Sequence, residues 1–240
     1  MLQTIREFAS DQLVQAGEAE VIREQHLKFF LELAESAESE LTGSSQASWF
    51  ERLDREHDNL RAALRCSIEQ NKVEEGLRLA GSLWRFWDVR GYVTEGRGLL
   101  DDLLSRTVDT SIESSVRAKA LNGAGILAGN QGDYERQKKI VEESLHLYRE
   151  MDDKPGIAQS INNLGSIAYS QGDYDSAEVF YSESLNIRRE IGDSWGTANS
   201  LNNLGGVAFS KGDWEGALEL HSQSLELRRD LNDKRGISMD

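Results

Sequence analysis

The sequence predicts an all-α fold built from stacked helical hairpins. Aligning residues 161–190 with 201–230 without a gap gives 14 identical positions of 30. A weaker copy lies another 40 residues upstream, where Gly132-Asp133-Tyr134 falls in register with Gly172-Asp173-Tyr174. Within the copies, apolar and small residues recur at spacings of three and four, which indicates amphipathic helices. A fixed period between about 20 and 50 residues is typical of repeat proteins in which each unit packs on its neighbours.

Each copy predicts two helices joined by a tight turn. In the third copy, the first helix carries Leu201 and Leu204 on its apolar stripe, and the second helix begins near Trp214. Gly212 can adopt the left-handed conformation that ends a helix. Asp213 can accept hydrogen bonds from the free N–H groups of the next helix. The repeating unit is therefore predicted to be a helical hairpin.

Small residues mark where the two helices of a hairpin approach closely. Gly165 and Gly205 occupy equivalent positions in the first helices, and Ala177 and Ala217 do so in the second helices. The first copy departs from this pattern, because Gln137 stands where the other two copies have alanine. We therefore expect looser packing in the first copy.

This unit resembles the tetratricopeptide repeat, whose helix pair carries Leu-Gly in the first helix, Gly-Asp-Tyr at the turn and a small residue early in the second. The resemblance covers roughly residues 116–232 in a 40-residue form, and it implies a right-handed α-α superhelix, a TPR solenoid. We therefore predict three parts of the chain: an N-terminal helical segment at 1–45, degenerate helical repeats at 46–112 and three repeats at 113–240.

The N-terminal part is also predicted to be helical. Residues 2–15 and 18–41 form two predicted helices. The second carries on one face Val21, Ile22, His26, Phe29, Phe30, Leu33 and Ala34. The strings LQTIREFASDQL at 2–13, HDNLRAAL at 57–64 and LRLAGSLWRFW at 77–87 are similar to the segment that follows the nucleotide-binding and winged-helix modules of bacterial signal-transduction ATPases and of LuxR- or SARP-type transcription regulators. The resemblance implies a sensory or regulatory segment of such a regulator, without its ATP site.

Composition excludes several functional classes. The net charge of −15 and the pI near 4.8 disfavour nucleic-acid binding, because phosphates repel an acidic surface. The sequence contains no apolar run long enough to cross a membrane and no secretory signal, so we expect a cytoplasmic protein without membrane contact. The single cysteine, Cys66, is expected to be a small core residue.

No motif for chemistry is apparent. The sequence has no phosphate-binding loop, and its four histidines lack the spacing of zinc ligands. No nucleophile has a plausible base beside it. We therefore predict neither a cofactor nor a metal, and an enzyme is the weakest of three functional hypotheses.

Asparagine recurs at one position of the first helices, where it costs about 0.6 kcal/mol relative to alanine. The resemblance to tetratricopeptide repeats implies that these helices line a concave groove and that such amides hold the backbone of a bound peptide. An amide suits this role because it both donates and accepts hydrogen bonds. Alternatively, the asparagines bridge neighbouring repeats, and the two roles are compatible. The candidate groove residues are Lys119, Asn122, Gln159, Asn162, Asn163, Ser166, Tyr169, Asn199, Asn202, Asn203 and Phe209.

The leading hypothesis is a non-catalytic scaffold that binds a protein or peptide in this polar, mostly uncharged groove. In a regulator, such a module would sense a partner or restrain activity. The second hypothesis is self-association as a homodimer through the C-terminal repeat. Its basis is that Leu204, Val207 and Leu225 belong to helices with no predicted successor to cover them.

Overall fold

The computed structural model describes residues 12–109, 112–231 and 233. Within these ranges all regular structure is helical, with eleven α-helices, a 3₁₀ turn at Arg106–Asp109 and a helical stretch at 12–15. Most of the helix predicted over 2–15 lies outside the described residues. In chain order the helices are α1 (Ala19–Glu40), α2 (Gln46–Arg55), α3 (His57–Glu69), α4 (Val73–Arg90), α5 (Val93–Ser105), α6 (Ser114–Asn130), α7 (Tyr134–Glu150), α8 (Lys154–Ser170), α9 (Tyr174–Glu190), α10 (Ser194–Lys211) and α11 (Trp214–Asp230).

The helices stack as consecutive hairpins. Helices α6 and α7, α8 and α9, and α10 and α11 form three pairs, and the first helix of each later pair packs on both helices of the pair before it. Helices α4 and α5 form a further pair that precedes these three. The prediction of an all-α, right-handed superhelix is confirmed.

The turns follow the predicted chemistry. Gly172 and Gly212 have φ angles of 78° and 83°, in the left-handed region where a glycine has no steric cost. Asp213 then caps α11 by accepting a hydrogen bond from the Gly216 amide at 2.9 Å, and Asp173 caps α9 in the same way. Each of the last three hairpins therefore turns through a glycine, and its second helix begins at an aspartate cap.

A buried serine joins the two helices of each of the last three hairpins at the same place. Its hydroxyl donates to a backbone carbonyl of the first helix, which satisfies a polar group that has no access to water. The three bonds join Ser144 to Ala118 at 2.9 Å, Ser184 to Ala158 at 2.8 Å and Ser224 to Ala198 at 2.9 Å. The 40-residue period of the sequence is thus also a period of hydrogen bonds.

The small residues permit close approach of the helices. A Cβ added at Gly165 would lie 2.7 Å from the Tyr181 ring. The looser packing expected in the first copy is wrong. Gln137 is buried, and its amide lies against Gly129. Later copies carry Tyr169 and Phe209 at the position of Gly129, so the lack of a side chain at Gly129 makes room for Gln137, which is larger than the alanine of those copies.

Two predictions about apolar faces are corrected. Of the face predicted for α1, Phe30, Leu33 and Ala34 are buried, as predicted, whereas Val21, Ile22 and Phe29 are exposed. The reason is that α1 packs on α3 and α4 through a face that also includes Leu27 and Leu31. Leu204 and Val207 are buried with Tyr181 and Leu185 of the preceding hairpin, so neither forms an uncovered C-terminal surface. Leu225 is half-buried. Cys66 is buried, as predicted.

Candidate functional site

The predicted asparagines form a hydrogen-bonded ladder along the first helices of the three repeats. The Asn163 amide donates to the Asn122 carbonyl oxygen at 2.8 Å, and the Asn203 amide donates to that of Asn162 at 3.1 Å. Asn122, Asn162 and Asn163 are buried, whereas Asn202 and Asn203 are half-buried. Four of the five asparagines therefore bridge neighbouring repeats, whereas Asn202 contacts His221 of its own hairpin at 2.9 Å. Peptide binding by the half-buried asparagines remains a prediction.

The remaining candidates lie in three places. Gln159 and Asn199 lie beside the ladder, and Ser166 accepts a hydrogen bond from the Tyr181 hydroxyl at 3.1 Å. Lys119 is drawn towards α1, where its ammonium pairs with Glu38, so it lines a different cavity. Tyr169 and Phe209 are exposed near the hairpin turns, where their rings contact those of Tyr174 and Trp214 at a tilt and edge to face, respectively. The structure thus does not bring Lys119 or the two aromatic residues to the ladder.

Two buried arginines, which the sequence did not indicate as site residues, lie beside these amides on the concave side. Arg188 and Arg228 end α9 and α11 at equivalent positions and are 2% and 4% exposed. Arg188 donates to the Gln159 side-chain oxygen, and Arg228 donates to that of Asn199, both at 2.9 Å. The first copy carries Tyr148 at this position, and an aromatic residue there is the signal that could have identified a buried site.

The two arginines differ in their acidic neighbours. Arg228 forms an ion pair with Asp233 at 3.2 Å, and Asp233 is itself buried. The nearest carboxylate to Arg188 is that of Asp193, 4.0 Å from Nε. Burial lowers the pKa of Arg188 to about 10, and Asp193 only partly opposes this shift. Arg188 is therefore a buried cation whose charge is poorly compensated.

A cavity of about 200 Å³ lies at the centre of this arrangement. Half-buried amides from α8 and α10 line it together with five charged side chains, so the concave side carries more charge here than the asparagine pattern alone indicates. The charged side chains come from helix ends and from α4, which the repeat pattern alone does not bring to this place. The lining residues are Arg85, Asp88, Gln159, Asn162, Arg188, Trp195, Asn199, Asn202, Asn203, Arg228 and Asp233.

Contacts across the concave side join the two halves of the chain. The Arg85 guanidinium of α4 lies over the Trp195 ring of α10, 4.4 Å from its centroid, and Arg85 also donates to the Leu41 carbonyl. Gln46, which begins α2, donates to the Asp233 carboxylate at 3.0 Å. Because of these contacts, the concave side near α10 is a pocket rather than an open trough.

Other classes of site find no support in the part of the chain that the structure describes. No group of three or more histidine, cysteine, aspartate or glutamate side chains there could hold a metal ion. Among the same residues, each helix is too short or too polar to span a bilayer.

Stacked hairpins with a polar concave side define a helical-repeat protein of the scaffold class. Comparison with known families identifies the repeats, since the tetratricopeptide repeat model matches residues 116–190 and 156–230. The repeats at residues 116–230 are therefore tetratricopeptide repeats.

Solved structures show the same fold. The crystal structure of BtubC from P. vanneervenii covers 88% of this chain and 92% of its own, with a TM-score of 0.61 and 19% identity. A structure of nearly identical TPR-like repeats from Podosopora anserina covers 87% and 97%, with a TM-score of 0.58 and 15% identity.

Among curated proteins, those named "Putative HTH-type transcriptional regulator" in Mycobacterium tuberculosis and Mycobacterium bovis are 32% identical over 130 residues. These residues are 53% of this chain but 14% of the relatives, so the chain matches only a small part of their length.

Proposed function

We propose that this chain is a protein-binding scaffold whose concave side, along α8 and α10, holds a segment of a partner protein. The observation that carries the proposal is the set of half-buried amides, Gln159, Asn199, Asn202 and Asn203, which face one cavity from two successive repeats. Each can still offer a donor or an acceptor to a bound backbone. Neither catalysis nor nucleic-acid binding forms part of the proposal.

A second part of the proposal is regulatory. The sequence similarity to HTH-type transcriptional regulators supports a role as the sensing segment of a bacterial regulator, acting in the cytoplasm. In that role, occupancy of the concave side would change how this segment packs on other modules. The similarity covers 14% of those relatives, so their DNA-binding activity is not transferred to this chain.

The site offers a position for a blocking substitution. Gly206 lies in α10 one turn beyond Asn202, and a Cβ added there would meet only the Tyr169 hydroxyl, at 3.8 Å. Gly206→Trp should therefore fill the groove without disturbing the hairpin. Gly98→Trp is the matched control, because Gly98 is exposed in α5 and an added Cβ has no neighbour within 4 Å.

A displayed random-peptide library tests the proposal. We expect peptides that bind the wild type and Gly98→Trp but lose binding to Gly206→Trp by at least tenfold. Circular dichroism melts of the three proteins check that each is folded. Peptides that bind all three proteins equally would place recognition elsewhere, and a library without enriched peptides would contradict the proposal.

Self-association is the second candidate function. Phe209, Trp214 and Leu218 are 58%, 63% and 70% exposed and lie together on the last hairpin. In the preceding hairpin, Tyr169 and Glu178 occupy the positions of Phe209 and Leu218, and both contact α10. The exposed surface of the last hairpin is therefore equivalent to a surface that the next hairpin covers in the preceding repeat. Light scattering over a dilution series should show a dimer that Leu218→Glu disrupts, and a wild-type monomer at high concentration would contradict it.

A further inference from the structure

A second cavity, lined in part by Lys119, lies where α4, α6 and α8 begin. Its volume of about 540 Å³ corresponds to about 18 water molecules at ~30 Å³ each. Glu113 at its edge is exposed, so the cavity is open to solvent. A long side chain of a ligand can therefore enter it.

The cavity carries an excess of negative charge. Its two cations already have carboxylate partners, because Arg78 pairs with Glu35 at 2.7 Å. Lys119 likewise pairs with Glu38. Three further lining carboxylates form no ion pair within the part of the chain that the structure describes, and these belong to Glu74, Glu113 and Asp153. The three helix N-termini offset only about half a unit of charge each, so a net negative charge remains.

These three carboxylates keep free acceptor sites. Asp153 accepts one hydrogen bond, from the Gly156 amide at 3.1 Å, as the cap of α8. Glu113 accepts from the Ser115 hydroxyl at 2.5 Å, and Glu74 accepts from the Glu113 amide at 3.4 Å. A carboxylate has about four acceptor sites, so each of them can accept further hydrogen bonds from a ligand.

A buried tyrosine lines the same cavity, and its hydroxyl has no partner. Tyr148 is 7% exposed, and its ring lies against Gly156 of α8. Its hydroxyl forms no hydrogen bond with any of the described residues. Burial raises the pKa of Tyr148, and the Asp153 carboxylate raises it further, so the hydroxyl stays neutral and its oxygen can accept from a ligand.

The later hairpins show which group fits beside such an aspartate. Three pairs of residues occupy equivalent positions after the second helices, namely Tyr148 with Asp153, Arg188 with Asp193 and Arg228 with Asp233. In each pair the aspartate amide donates to the carbonyl of its partner, at 2.9 or 3.0 Å, so the backbone arrangement is the same. Arg228 pairs with Asp233 at 3.2 Å, and Arg188 Nε lies 4.0 Å from Asp193. Tyrosine is neutral, so Asp153 lacks the guanidinium that its equivalents have.

We propose that this cavity binds the guanidinium of an arginine side chain, which donates to the Asp153 carboxylate and to the Tyr148 hydroxyl oxygen. A guanidinium suits the site because it has five N–H donors and no acceptor, and because it is more weakly hydrated than an ammonium. The site is separate from the asparagine ladder. That the arginine belongs to a partner protein rests on the proposed scaffold function, whereas the affinity for a guanidinium does not.

N-acetyl-L-arginine amide is the probe, and the purified 240-residue chain is the sample. N-acetyl-L-citrulline amide is the neutral analogue of the same shape, and both are titrated at constant ionic strength. We expect a saturable rise in Tm with the arginine probe only, because a ligand that binds the folded state stabilises it. Equal responses to the two compounds, or no response to either, would overturn the proposal.

Free L-arginine tests whether the ligand is a side chain of a peptide. Its own carboxylate adds negative charge beside an acidic cavity, so we expect it to bind more weakly than the amide probe. Tighter binding of free arginine would identify a free amino acid as the ligand and would overturn the assignment to a peptide side chain.

Asp153→Asn assigns the response to the cavity. It removes the charge and keeps a residue that caps helices well, so we expect a folded protein with at least tenfold weaker affinity for the arginine probe. Asp173→Asn is the matched control, because Asp173 caps α9 in the same way and does not line this cavity. Unchanged affinity in Asp153→Asn would overturn the assignment.

Tyr148→Arg introduces the residue of the later hairpins. The guanidinium of the variant should occupy the place beside Asp153, so we expect the probe to lose its effect on Tm. A variant that binds the probe as tightly as the wild type would contradict the proposal. Circular dichroism establishes folding, and Asp153→Asn decides if Tyr148→Arg does not fold. No peptide is present in these titrations, so their failure is distinguishable from failure of the peptide-library experiment.

Discussion

The N-terminal half and the last two repeats of this molecule are stabilised in different ways. One continuous apolar cluster extends from Leu27 in α1 to Ile140 in α7, with many fully buried leucine and aromatic side chains. The cluster between α8 and α11 is much smaller, and buried serine, asparagine and arginine side chains lie around it. The comparison indicates that apolar packing fixes the first half, whereas hydrogen bonds repeated at each step fix the second.

The largest effect should come from the apolar half. Trp87 is 1% exposed in α4 and its ring lies directly against Gly96 of α5. We expect Trp87→Ala to lower the free energy of unfolding by about 3–5 kcal/mol, the range for truncating a buried aromatic residue. Urea unfolding measures it. Trp214→Ala, at an exposed site, should cost under about 1 kcal/mol, and equal losses in both variants would contradict the comparison.

The polar half should respond to the loss of one amide. Asn162→Ala leaves the Asn203 amide without its acceptor and removes a buried polar contact of Ser200. We expect a loss of about 1–3 kcal/mol. The control is Asn186→Ala, the same change at an exposed site in α9, which should be neutral or slightly stabilising because alanine favours a helix. A neutral Asn162→Ala would show that the ladder does not stabilise the stack.

Acid should weaken the N-terminal half through His57. This residue is buried beside Tyr92 and Phe86, and its Nε2 lies 3.4 Å from Glu95. Burial lowers the pKa of His57 from its ordinary value, which Glu95 partly opposes. The unfolded chain therefore takes up the proton first, and the contribution of His57 is present above about pH 6.5 and falls as the pH drops below it.

Urea midpoints at pH 7.5 and pH 5.5 measure this effect. The wild type should lose stability over that interval, and His57→Gln should lose less. His146→Gln serves as the control, because His146 is exposed on α7. An identical pH dependence in His57→Gln and the wild type would exclude His57 as the cause.

The smallest effect should be a gain. Gly206 lies in α10, where an added Cβ would make only an ordinary van der Waals contact, 3.8 Å from the Tyr169 hydroxyl. Gly206→Ala should raise the free energy of unfolding by about 0.5–1 kcal/mol, because alanine loses less backbone entropy in a helix. Thermal melts measure it, and the same change at Gly205, where a Cβ would lie 2.8 Å from the His221 ring, should instead destabilise.

The contrast between the halves also decides what the sequence could predict. The repeats have local signals, such as Gly172 and Asp173 at a turn, and these identify the hairpins and their period. Their equivalence also placed the asparagines on one side of the stack. The apolar face of α1 was predicted only in part, because Phe29 and Phe30 are adjacent and only packing on α3 and α4 determines that Phe30 is the buried one.

The candidate site was predicted only in part, because the repeat pattern relates some of its residues and not others. Gln159 and Asn199 were identified from their shared register in the repeats. Arg188 and Arg228 were not, because cations near the C-terminal ends of helices are usually exposed and nothing in their own segments indicates burial. Arg85 and Trp195 meet across 110 positions of the chain, and no periodic pattern relates α4 to α10. The curvature of the whole stack brings them together.

The asparagine ladder has a consequence for how the chain can change in length. Asn163 donates to Asn122 just as Asn203 donates to Asn162, so one interface is a translated copy of the other. Excising residues 154–193 would join Asp153 to Ser194 and present Asn203 to Asn122 with the same partners. Whole units can therefore be gained or lost by recombination without redesigning a single junction.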